Sequence, residues 1–181
     1  MAGVYFDSTV FVSIFKPEKD RAAHVRDLLK ELKKDRIRIH TSIIAVEECS
    51  VTSFKRGQMA RDYHAKINEL AEIHTVDRDI AINAAKTEAE ILIKVPAAEQ
   101  NKPSRKWDCF HIATARCLEC SVLYSWDAGM LKRKQQIGIT GIEFSEPIAK
   151  NPSLRLTAPR KRKAKAKAAT AADGTADLFK E

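Results

Sequence analysis

No stretch of this chain is apolar for long enough to cross a membrane. The opening apolar run, "VYFDSTVFVSIF" from Val4 to Phe15, begins almost at once and is broken by Asp7, so it does not read as a secretory signal. Cysteine is scarce: Cys49, Cys109, Cys117 and Cys120 are all there is. Cys117-Leu-Glu-Cys120 has CxxC spacing, but no second cysteine or histidine pair completes a zinc site, and these thiols read as small apolar residues on a helix. No Ser-His-Asp or Cys-His set is arranged for covalent catalysis, and there is no internal repeat. These absences point to a reduced, cytoplasmic protein with no membrane part.

What remains is a chain of 181 residues, 44% of them hydrophobic. That suits one domain of ordinary size with an appendage. The net charge is +8 and the pI about 9.4, which makes an anionic partner plausible. The excess is uneven, because residues 151–181 hold 8 Lys/Arg against 3 Asp/Glu. That segment contains "PRKRKAKAKAATAADGTAD", too poor in large apolar residues to offset chain entropy. The expected organisation is a folded domain over 1–150 and a disordered basic tail over 151–181.

Within the domain, strands and helices alternate. Val4–Phe6, Arg36–His40, Val122–Tyr124 and Gly141–Phe144 are short and β-prone. Helical spacing predicts helices up to Phe15, over Lys19–Lys34, from a Thr41-Ser42 cap to about Arg56 with Gly57 as stop, over Gln58–Ile73, and from Asp77 or Asp79 to Lys94. Two more are expected over Trp107–Cys120 and Ala128–Gln136. Val95–Arg105 reads as a loop. The pattern implies an α/β fold whose mostly parallel central sheet is flanked by helices, with sites at the carboxyl ends of its strands.

Acids recur at those ends. Asp7 follows the first strand and Asp127 follows Val122–Tyr124. Asp108 opens the helix "WDCFHIATARC", and a fourth acid lies in "TSIIAVEECS". One Asp at a helix start is usually an N-cap. Four converging on one sheet edge repel one another and call for a cation. Oxygen donors without a Cys/His set select Mg²⁺ or Mn²⁺.

In order, "VYFDSTVFVSIF", "TSIIAVEECS", "WDCFHIATA" and "LYSWDAGML" resemble the four acidic motifs of PIN-domain nucleases, above all the VapC-type ribonuclease toxins of toxin–antitoxin pairs. The likeness spans residues 3–146. It implies a PIN-like fold and metal-dependent hydrolysis of RNA through Asp7, Glu48, Asp108 and Asp127 as catalytic and metal-binding acids. It also implies a cognate antitoxin as partner and a homodimer. Glu47 competes with Glu48, but the family's apolar flanks match Glu48, with Ile44, Val46 and Cys49 around it. Helical spacing also puts Ile44, Glu48 and Val51 on one face. Gly129 stands where relatives often carry a further acid, which bears on a second metal. Ser8 and Thr9 match hydroxyls that orient the first Asp.

The other readings are a PIN nuclease without a toxin role, a catalytically silent RNA- or protein-binding PIN module, and a phosphatase- or receiver-like domain, whose downstream lysine context is missing. His111, three residues after Asp108, reads as a core histidine or a hydrogen-bonding one rather than a ligand. Trp107 and Trp126 read as packing residues with a stacking role as the alternative. Lys102, Arg105 and Lys106 form a basic cluster near Asp108.

Overall fold

The computed structural model describes residues 3–15, 19–54, 61–96, 104–138 and 140–150. Its strands are β1 (Val4–Phe6), β2 (Ile39–Ser42), β3 (Glu72–His74), β4 (Val122–Tyr124) and β5 (Glu143–Ser145). Its helices are α1 (Ser8–Phe15), α2 (Lys19–Lys34), α3 (Ile43–Phe54), α4 (Arg61–Leu70), α5 (Arg78–Lys94), α6 (Ser104–Cys117) and α7 (Ala128–Ile137). The strands form one sheet in the order β3-β2-β1-β4-β5, and every pairing is parallel.

Each parallel step needs a crossover, and the helices supply it. They cover both faces, so the central strand is apolar throughout rather than alternating. In β1, Tyr5 faces one core with Ile80, Ile91, Ile112, Leu123 and Met130. Val4 and Phe6 face the other, with Val10, Phe11, Val25, Leu28 and Ile67. The chain runs outward from β1 to β3 on one side, then returns to build β4 and β5 on the other. The direction therefore reverses between β1 and β4, and parallel sheets open a crevice at such a switch.

Several boundaries differ from the sequence expectation. The strand expected at Arg36–His40 begins at Ile39, because Arg36 takes a left-handed turn (φ 55°) that closes α2. The amides of Arg36 and Ile37 bond back to Lys33 and Leu32. Thr41 and Ser42 belong to the strand and do not cap a helix. The helix expected to run on to Ile73 ends at Leu70, and Glu72–His74 is an edge strand. α6 starts at Ser104, so Arg105 lies on a helix, buried, with Glu88 3.7 Å away. Gly57, Lys102 and the tail 151–181 lie outside the described residues.

Candidate functional site

At the carboxyl end of β1, Asp7 is 2% exposed. Its Oδ1 accepts from the Thr9 amide (3.0 Å), the Thr9 hydroxyl (2.6 Å) and the Val10 amide (3.3 Å). Asp7 thus caps α1. Its Oδ2 accepts from the Ser125 hydroxyl, which comes from the end of β4. Both hydroxyls are themselves held. Thr9 Oγ1 accepts from the Trp126 amide and Ser125 Oγ from the Asp127 amide, each at 2.9 Å. These bonds lower the Asp7 pKa, as does nearby His111, but burial outweighs them and pushes it up.

Glu48 reaches the same region from α3. Its Oε2 lies 3.0 Å from His111 Nε2, on α6. The Ser8 hydroxyl also faces it, and with His111 holds its pKa below the usual range despite burial. Glu47, one residue away, is exposed. His111 is buried, with Nδ1 2.7 Å from the Tyr5 hydroxyl. Burial disfavours its charge, but Glu48, Asp7 and Asp108 together raise its pKa. Its charge is thus felt by three of the acids at once.

Asp108 sits in α6, one turn before His111 and 7% exposed. Burial pushes its carboxyl up to about 6, against the pull of Arg133, and the charge of Asp127 adds to the rise. Arg133 Nε donates to Asp108 Oδ2 at 3.2 Å, and its Nη1 donates to Gln136 at 2.8 Å. Asp127 is exposed and caps α7 by accepting from the Gly129 amide at 2.7 Å. A Cβ on Gly129 would lie 3.0 Å from that carboxylate oxygen, so glycine leaves the acid room.

The donors suit a hard divalent cation: all are carboxylate oxygens, and two are buried at a cost that a cation would relieve. As they stand, no three of these groups bring ligand atoms within 4.8 Å of one another among the described residues. Protein cations and hydroxyls compensate them instead, with His111 on Glu48 and Arg133 on Asp108. Arg133 carried no signal in the sequence, since only the fold brings this α7 side chain to Asp108 of α6. His111 was signalled by its spacing from Asp108, although its bond to Glu48 was not.

Of the two tryptophans, Trp126 is partly buried, with the Arg21 guanidinium 5.3 Å above its ring. Trp107 is 39% exposed beside Phe110.

The PIN domain family profile matches residues 4–135, and the chain belongs to the PIN domain family. No curated protein matches it in sequence. Among solved structures it is similar to a toxin–antitoxin complex from Klebsiella pneumoniae (20% identity, TM-score 0.52, covering 80% of this chain and 98% of that one). It is similar to VapBC-1 from nontypeable Haemophilus influenzae (14%, 0.55, 80% and 97%). It is also similar to VapC20 of Mycobacterium tuberculosis, described as a sarcin-ricin-loop-cleaving toxin (14%, 0.53, 78% and 99%). At these identities the likeness is one of fold.

Proposed function

We propose that this chain is a metal-dependent endoribonuclease and the toxin of a toxin–antitoxin pair, with Asp7, Glu48, Asp108 and Asp127 as its catalytic and metal-binding acids. The observation that carries the reading is that four sequence-distant carboxylates share partners: His111 feels Glu48, Asp7 and Asp108, the Ser125 hydroxyl joins Asp7 to the Asp127 amide, and Asp7 and Asp108 are buried. The fold neighbours are toxin–antitoxin proteins, one of them described as cleaving the sarcin-ricin loop, which supports a cognate antitoxin as partner and RNA as substrate; a homodimer is part of the proposal by analogy with the family alone.

The acids would hold Mg²⁺ or Mn²⁺. When bound, such a cation supplies charge neutralisation at a phosphate and a lowered pKa for water. The chain's own groups do the rest. Thr9 and Ser125 fix both oxygens of Asp7. His111 orients Glu48. Arg133 neutralises Asp108 while no cation is there. Lys106 and Trp107, exposed on the first turns of α6, are available to a phosphate and an unpaired base.

Incubating the purified protein with total RNA in Mg²⁺, in Mn²⁺ and in EDTA tests this. Discrete cleavage that EDTA abolishes is the expected result. Cleavage that persists in EDTA would overturn the metal, and intact RNA in both metals would overturn the nuclease. Growth arrest on expression, relieved by the protein encoded next to it, would carry the toxin role.

A further inference from the structure

A second group of ligating side chains, sharing no member with the acids, lies on the β2–β3 pair. His40, Glu72 and His74 bring their ligand atoms within 4.8 Å of one another. The register explains the meeting. β2 and β3 pair in parallel with His40 opposite Glu72 and Ser42 opposite His74. Side chains alternate with period two, so all three project from the same face.

The separations are His40 Nδ1 to His74 Nε2 3.0 Å, His40 Nδ1 to Glu72 Oε2 3.5 Å, and His74 Nε2 to Glu72 Oε1 3.8 Å. A tetrahedral zinc with bonds of about 2.0–2.1 Å sets its ligands roughly 3.3–3.4 Å apart. The two imidazole nitrogens need to part by a few tenths of an ångström, and the Glu72 carboxylate, which meets each histidine with a different oxygen, needs to turn to present one of them to a shared ion. The exposed position of Glu72 leaves the fourth place to solvent.

Gly3 adds a separate observation. A Cβ there would lie 2.4 Å from His40 Cδ2 and Nε2, so the imidazole rests against bare backbone. That contact fixes one edge of the ring and turns Nδ1 toward His74 and Glu72. Two imidazoles and one carboxylate suit zinc and its neighbours in the first transition row, and do not suit Mg²⁺.

We propose that His40, Glu72 and His74 form a zinc site that clasps the edge strand β3 to β2. The site is distinct in donor type from the acids at the β1–β4 crevice and does not depend on the nuclease reading. An edge strand of three residues has little pairing of its own to hold it, and a metal bridging both strands would stabilise it.

The test uses tag-free full-length protein stripped with EDTA and titrated with Zn²⁺, and with Co²⁺ as a visible reporter. Co²⁺ in a four-coordinate nitrogen-and-oxygen site absorbs strongly in the visible, whereas a six-coordinate oxygen site absorbs weakly. One equivalent with the strong band is expected, together with a zinc-dependent rise in Tm. His40→Gln and His74→Gln should remove both, and Glu72→Gln should weaken binding about tenfold or more. His64→Gln, Asp7→Asn and Asp108→Asn should leave the band intact. Gly3→Ala should weaken binding by displacing His40. If His40→Gln fails to fold, His74→Gln and Glu72→Gln on the edge strand decide the matter alone. A band or thermal shift that survives in His74→Gln, an unchanged affinity in Glu72→Gln, or the absence of a strong band at one equivalent, overturns the site.

Discussion

Asp7 caps α1, accepts hydrogen bonds on both oxygens and is still more easily protonated than a free carboxyl, because burial exceeds what its partners return. Asn keeps its shape without the charge. Asp7→Asn, Asp108→Asn, Asp127→Asn and Glu48→Gln should each cut RNA cleavage roughly 100-fold or more. Glu47→Gln should remain active, because that side chain is exposed whereas Glu48 is held by His111. Reversed phenotypes for the two glutamates would move the second acid by one residue. The same charges set a pH dependence. A carboxyl whose folded pKa lies above its unfolded value takes up a proton on folding, so stability falls as pH rises between the two. For Asp108 that window runs from 3.8 to about 6 and amounts to about 3 kcal/mol. His111, raised above 6.5, contributes stability at lower pH that is lost as pH passes its folded value. Glu48, held below 4.5, acts in the opposite sense, but only at more acid pH. Metal-free protein should therefore lose stability as pH rises above about 5, first through Asp108 up to about 6 and then through His111 above 6.5. Asp7→Asn should be flatter and more stable at pH 8, and Mg²⁺ should restore the wild type most at high pH. Melting curves in EDTA and in Mg²⁺ check this, and a metal-free Tm that climbs toward pH 8 would refute it.

At the scale of elements, α7 carries Asp127 at its start and Arg133 along its length, and it ends at Gly138 with φ 60°. Nothing lies within 4 Å of a Cβ added there, so Gly138→Ala has only the backbone to strain. The cost should be about 1 kcal/mol, lowering Tm by about 2–4 °C with cleavage by the folded protein unchanged. Thermal melting measures it, and an unchanged Tm would show that the left-handed turn costs alanine nothing. Elements defined by burial on both faces, β1 and β4, were legible because their runs are short and wholly apolar. α5 was legible through Asp77, which accepts from the Ile80 amide at 2.8 Å as its N-cap. β3 was not, since Glu72 and His74 are polar and Ile67, Leu70 and Ala71 prolong a helical spacing beyond the true end of α4. β2 was shifted because a left-handed turn at an arginine carries no glycine to announce it. Of the candidate site, the acids were readable from their place after strands. Arg133 on Asp108 and the hydroxyl of Ser125 on Asp7 were not readable from local pattern, because they join segments that only the sheet order makes neighbours.

For the whole molecule, charge and chain order matter more than any contact. Seven basic residues lie between Arg155 and Lys167. If three or four of them engage RNA, deleting 151–181 should leave cleavage intact and flatten log affinity against log salt by about 2–3, at roughly 0.7 per phosphate. Parallel salt lines for the full and truncated proteins would mean that the tail touches no phosphate. The bond from Ser125 to Asp7 spans 118 residues. Protein synthesis turns that separation into time. At about 5–20 residues per second, the first acid leaves the peptidyl-transfer centre about 6–24 s before the hydroxyl that completes its cradle. A ribosome that has made fewer than 125 residues of this chain is thus attached to an unfinished blade. Chains stalled at residue 120 should leave added RNA whole, while the released protein cuts it. Cleavage by the stalled chains would mean that the first three acids suffice without β4.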